Sequence, residues 1–155
     1  MRYTWILAFL GTAAMMSAQS AVEYHSAKDV TAMIAKAKAE RKPDQGNFIQ
    51  PLGKAGPYVA NLEYRVHGVD TPPLVHEDDA EFVYVVEGGG TLTTGGKLRA
   101  ETRGKGANRT GTGIDGGTEQ KIAKGDFFMI QKGTPHMFNQ TDGTLVIASI
   151  HLPVK

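Results

Sequence analysis

No cysteine occurs anywhere in the 155 residues, and that single absence removes several chemistries at once. A disulfide framework, a thiolate zinc site, an iron–sulfur cluster and a cysteine nucleophile are all excluded. Any metal must therefore rest on histidine, aspartate or glutamate. The absence is silent about compartment, because an exported protein with an adequate core needs no disulfides. Net charge is also scarce: 17 basic side chains face 16 acidic ones, and Arg2 is the only charged residue among the first twenty, so the remainder balances to zero. Without a positive excess there is little counterion release to gain from a phosphate backbone, and no nucleic-acid partner is expected. There is neither a Ser-His-Asp order nor a phosphate-binding glycine loop, which leaves metal chemistry as the one catalytic mechanism with residues to support it.

What is present begins with a leader. Arg2 precedes an apolar run from Trp5 to Met16, followed by the small-residue stretch Ser17-Ala18-Gln19-Ser20-Ala21. That is the three-part layout of a secretory signal peptide, with Ala18 and Ser20 at the positions that must be small for cleavage after Ser20. The run is shorter than the roughly 20 residues a spanning helix needs, and nothing after residue 21 is apolar enough to cross a bilayer. Residues 1–20 are thus expected to be removed, leaving a secreted or periplasmic chain of about 135 residues, enough for one core.

The next segment, 21–46, is expected to be helical. Ser26-Ala27-Lys28-Asp29 has the form of a capping box, and Val30, Met33, Ile34 and Ala37 recur at helical spacing, predicting an amphipathic helix over 27–41 that ends near Lys42-Pro43. Over 47–155 the texture changes to short β-type runs separated by glycine, proline and Asn/Asp clusters, the rhythm of an all-β sandwich or barrel. Candidate strands are Tyr58 to Val66, Leu74 to His76, Glu81 to Glu87, Gly90 to Thr94, Asp126 to Ile130 and Leu145 to Leu152. Gly95 to Gln120 carries eight glycines and almost no apolar material, and is expected to be a solvated loop or a lid. Its cations Lys97, Arg99, Arg103, Lys105 and Arg109 are interspersed with Glu101, Asp115 and Glu119, so a solvated face is expected rather than an anion trap. The aromatics Tyr58, Tyr64, Phe82, Tyr84, Phe127, Phe128 and Phe138 are expected mostly in the core.

Two segments combine turn glycines, alternating apolar residues and plausible metal ligands. One runs from Gly68 through Leu74, His76, Glu81 and Gly88, and the other from Gly125 through Gln131, Gly133, His136 and Asn139. These resemble the two motifs of the cupin superfamily: Gly, five residues, His-x-His, three or four residues, Glu, six residues, Gly; then Gly, five residues, Pro-x-Gly, two residues, His, three residues, Asn. Gly68, His76, Glu81, Gly88, Gly125, Gly133 and His136 fall in register. Leu74 stands where the first histidine is usual, Gln131 where proline is usual, and Asn139 arrives one residue early, with Gln140 in its place.

The resemblance implies a cupin-like double-stranded β-helix, a jelly-roll barrel with the one helix before it. It implies a divalent metal, with Fe, Mn, Zn and Ni not distinguished, held by His76, Glu81 and His136. Two imidazoles and a carboxylate with open positions form a ligand set used by non-haem iron and related metals. Leu74 and His76 are two apart on one strand and point to one face, so Leu74 is expected to wall the pocket, as is Phe138, two past His136. His67 or His151 could complete the shell from elsewhere, while His25 is expected at the surface. A rival spelling, His76-x-Asp78 with His136, is that of 2-oxoglutarate oxygenases, but no arginine follows Arg109 to hold the cosubstrate, which argues against it. The expected function is metal-dependent action on a small molecule, with dioxygenase, isomerase and lyase chemistry unresolved. The alternative is a non-catalytic module that binds or senses a small ligand, with a degenerate metal site, which Leu74 favours. Edge strands of such barrels often pair, so a homodimer is an open expectation.

Overall fold

The computed structural model describes residues 22–69 and 71–154. The expected leader lies outside the described residues. Helix α1 (Ala27–Glu40) opens on the capping box read from the sequence: the Ser26 side chain accepts from the Asp29 backbone N–H, and Asp29 accepts from that of Ser26 at 2.8 Å. Its apolar stripe, Val30, Met33, Ile34 and Ala37, packs on Leu62, Tyr64 and Val146 of the sheet beneath. No helix among the described residues is long and apolar enough to cross a membrane.

Twelve strands follow: β1 (Asn47–Ala55), β2 (Tyr58–Val66), β3 (Leu74–His76), β4 (Asp79–Thr94), β5 (Lys97–Arg99), β6 (Thr102–Arg103), β7 (Asn108–Thr110), β8 (Gly113–Asp115), β9 (Thr118–Ala123), β10 (Phe127–Ile130), β11 (His136–Asn139) and β12 (Thr144–Pro153). The main sheet has the order β1-β2-β12-β4-β11-β3-β7-β6, with β9 and β10 also paired to β4 and every pairing antiparallel.

β4 organises this arrangement. The sequence suggests two strands broken near Gly88, yet the chain runs on as one strand of 16 residues that changes partners at the glycines. Up to Gly88 it pairs with β12 and β10, and from Gly89 onward with β9 and β11. Gly88 adopts φ 75°, and a Cβ there would fall inside contact distance of the Thr144 carbonyl oxygen, so only glycine lets β4 turn the corner beside β12.

The segment expected to be a loop or lid is instead mostly strand. It supplies β5 to β8 and the start of β9, and β7 pairs directly with β3. Its charges satisfy one another and its neighbours: Arg99 pairs with Asp115, Arg103 with Glu77, and Arg109 with both Glu77 and Glu101. Such ladders hold by backbone pairing and exposed ion pairs, which hydrophobic patterning does not register.

The aromatics divide. Tyr64 and Phe138 are buried, but Phe127, Tyr84 and Tyr58 are exposed. Phe127 and Tyr84 are directly paired across β10 and β4, so both stand on the outer face of the barrel wall. The interior is split along its length. One end is filled by Val83, Val85, Leu92, Ile122, Ile130, Phe138, Leu145 and Ile147. The other is a cavity of about 520 Å³ lined by apolar side chains such as Leu74 and Phe138 together with several polar ones.

Candidate metal centre

Three strands deliver one ligand candidate each. β3 is short and alternates, placing Leu74 and His76 on the cavity side while Val75 is buried on the other. The chain then turns into β4, whose alternation sends Glu81, Val83 and Val85 inward. β11 contributes His136 and Phe138 by the same rule. The turn before β11 uses Gly133 at φ 77°, and its N–H donates to the His76 carbonyl at 2.8 Å, tying the two histidine strands together. His136 lies directly opposite Leu74 across the β11–β3 pair, which places a leucine, not an imidazole, beside it.

The result is a buried cluster. One ligand atom from each of His76, Glu81 and His136 lies within 4.8 Å of the others. Glu81 Oε2 is 3.6 Å from His76 Nε2 and 3.4 Å from His136 Nε2. The distal ring nitrogens are both occupied. His136 Nδ1 lies 3.0 Å from the Thr134 carbonyl, which can only accept, so that nitrogen carries the proton. His76 Nδ1 makes a 3.0 Å bond to Asn108 Oδ1 at the start of β7. Donation outward from Nδ1 turns the Nε2 lone pair of each neutral ring toward Glu81.

Glu81 Oε2 is buried with no hydrogen-bond partner. A neutral imidazole pair therefore presents two lone pairs to an orphaned carboxylate oxygen, an all-acceptor cluster that is costly unless a cation or a proton sits among them. The electrostatics report the same tension. Burial acts to raise the Glu81 pKa, but hydrogen bonds from His136 and His76 outweigh it and hold the carboxyl well below the usual carboxylate range. Those bonds need a proton rather than a lone pair on Nε2, so a proton is what stands between these groups when no cation does. Burial likewise works against a charged His76, and Glu81 and Asn108 overcome it, raising its pKa above 6.5. The residues present fit a divalent ion in chemistry: two neutral imidazoles and an ionised carboxylate, each ring held by an outer partner.

Leu74 and Phe138 both line the cavity. His151 also enters it, directly opposite Glu81 across β12 and β4, its ring edge-on to His76 at 4.8 Å between centroids. His67 does not: it is exposed at the end of β2, and its Nδ1 bonds the Thr141 carbonyl. His25 is exposed as expected. Asp78 is exposed as well, so the carboxylate brought to the histidines is Glu81 and the 2-oxoglutarate arrangement is not formed. Asn61, Glu63 and Arg65 on β2 also line the cavity, a placement that no motif in the sequence marks.

No family model matches the sequence, and no curated protein matches it either. Solved structures do match. A candidate mannose-6-phosphate isomerase from Ralstonia eutropha aligns over 74% of this chain and 89% of its own, with a TM-score of 0.52 and 17% identity. KdgF from a Halomonas species aligns over 75% and 86%, with a TM-score of 0.53 and 16% identity. Fe(II) HppE aligns over 70% of this chain and 52% of its own, with a TM-score of 0.52 and 15% identity. These are cupin-fold proteins, and the chain has the cupin jelly-roll fold.

Proposed function

We propose that this is an exported, metal-dependent cupin that acts on a small molecule at a divalent ion held by His76, Glu81 and His136. The observation that carries the reading is the orphaned Glu81 oxygen facing two Nε2 lone pairs in a buried site. A divalent ion there supplies Lewis-acid polarisation of a ligand oxygen. The protein's own part is geometric and protic. Asn108 and the Thr134 carbonyl fix ring orientation and tautomer, and Leu74 keeps one side of the cluster apolar. His151, outside the cluster but inside the cavity, is an imidazole able to exchange a proton with a bound ligand. A second reading, a binding module without turnover, draws on Leu74 in the place of a further ligand.

Elemental analysis of the protein purified without chelator, beside His136→Ala, tests the proposal. Near-stoichiometric metal in the parent and its loss in the variant are expected. No metal in either, even after reconstitution, would sink the proposal. A binding module with a degenerate metal site would instead bind a small ligand without turnover, and His136→Ala would only weaken that ligand's affinity.

Leu74 gives a prediction of opposite sign. Because it pairs directly with His136 and shares a face with His76, Leu74→His would set a third imidazole at the same cluster. Metal affinity is expected to rise about tenfold or more, measured by competition against a chromophoric chelator. Unchanged affinity would mean that position 74 does not face the ion.

A further inference from the structure

Helix α1 covers only part of the outer face of the sheet it lies on, packing over Leu62, Tyr64, Val86 and Val146. Beyond the helix, two rows of side chains cross β12, β4 and β10 on that same face. The register aligns Ala148, Tyr84 and Phe127 in one row and Ile150, Phe82 and Met129 in the other. Their strand neighbours Val83, Val85, Ile147 and Ser149 point the opposite way and are fully buried in the barrel. None of the six row residues is charged. Phe127, Met129 and Tyr84 are 71%, 46% and 42% exposed, and the Phe82 ring lies 6.4 Å from that of Phe127. β10 pairs with β4 alone, so no strand among the described residues continues the sheet beyond it.

A sheet that is apolar on both faces needs cover on both. With large side chains of about 200 Å² each, the exposed parts of Phe127, Tyr84 and Met129 leave roughly 300 Å² of apolar surface bare. Phe82, Ala148 and Ile150 are partly exposed and widen it, which brings the patch to the size that marks a contact surface. The charges at the ends of these strands, Lys124 and Lys132 beside Asp79, Glu87 and Asp126, carry both signs. No basic excess is there to hold an anionic membrane.

We propose that this face is covered by the same face of a second copy of the chain, forming a two-fold dimer. Packed sheets lie about 10 Å apart, too close to admit a helix between them, so the two copies of α1 lie outside the overlap and on opposite sides. A two-fold axis running along β4 achieves this, because it keeps each row at its own level and reverses the order of strands. Tyr84 and Phe82 then meet their own counterparts. Phe127 lies over Ala148 of the partner subunit, and Met129 lies over Ile150 of the partner subunit. The most exposed ring thus meets the smallest residue of its row, a match of shape that the row's own grading from large to small supplies. With the rim included, the two faces bury on the order of 1,000 Å² in total, the low end for specific association, and a reversible dimer of micromolar dissociation constant is expected.

Sedimentation velocity on the intact purified protein, from about 1 to about 500 µM, measures the dimer directly. Phe127→Lys is expected to weaken association roughly tenfold or more, whereas Lys97→Glu, on the separate two-stranded sheet, leaves it unchanged. Both positions are exposed, so circular dichroism and melting temperature are expected to match the parent. Should Phe127→Lys not fold, Met129→Lys repeats the test on the second row. Because the chain has no cysteine, a single introduced one reports on the axis. Tyr84→Cys is expected to be linked to its counterpart by a short bifunctional maleimide but not by a disulfide, which cannot span about 10 Å. Phe127→Cys is expected to be linked only when Ala148→Cys is present as well. A monomer at every concentration, a dimer unmoved by both lysine variants, or no cross-link in a Tyr84→Cys protein that still sediments as a dimer would overturn the proposal. Co-sedimentation of a monomer with vesicles of phosphatidylethanolamine and phosphatidylglycerol would overturn it too, by giving the face to a membrane.

Discussion

Arg65→Met is expected to lower unfolding stability by about 3–5 kcal/mol, because it strands the Glu63 carboxylate in the barrel interior. Glu63→Leu is expected to cost a similar amount by stranding the guanidinium. Both side chains are almost fully buried, at 5% and 8% exposure for Glu63 and Arg65, so the lost partner is replaced at best by cavity water. The double variant Glu63→Leu/Arg65→Met should recover most of the loss, since two apolar side chains leave no charge to solvate. A domain of this kind holds only about 5–15 kcal/mol in total, so either single change consumes a large share of it. Urea denaturation of the four proteins measures the cycle. Strictly additive losses would show that the two groups do not act as a pair.

The same two residues show why part of the site was hidden in the sequence. Along β2 the order Asn61-Leu62-Glu63-Tyr64-Arg65-Val66 alternates, and alternation alone does not say which face is inside. The ordinary assignment puts Leu62 and Tyr64 in the barrel and the polar residues in water. The structure inverts this, because α1 covers the outer face and takes Leu62 and Tyr64 as its floor, leaving Asn61, Glu63 and Arg65 to face the cavity. The signal that could have exposed the inversion was the amphipathic helix itself, whose stripe needs an apolar partner outside the barrel.

The triad was legible for the opposite reason. His76, Glu81 and His136 lie in motifs whose spacing is set by turn glycines, and Gly88 and Gly133 both adopt the positive φ those turns require. Asn108 was not legible. It sits in a stretch with no apolar period, held to β3 by backbone pairing, and only the three-dimensional register brings it to His76.

Metal-free and metal-loaded protein are expected to respond to pH in opposite directions. In the metal-free state His76 has a folded pKa above its ordinary 6.5, so its pairing contributes stability that is full below about 6.5 and is lost as pH rises through the folded value. Glu81, held below its ordinary 4.5, contributes stability that is present above that value and lost as pH falls through the folded one. The metal-free protein therefore gains most from this cluster between about 4.5 and 6.5, and less toward pH 8. Metal binding needs His76 neutral, so acid competes with the ion, and affinity should fall roughly tenfold per pH unit once that ring is protonated. Stabilisation by bound metal follows its affinity and so rises with pH over the range where the cluster's own contribution declines. Melting temperatures across this range, with chelator and with excess Mn(II) or Zn(II), should diverge as pH increases. Parallel curves would mean that the ion and the proton do not compete for the same imidazole, and the assignment of His76 as a ligand would fall.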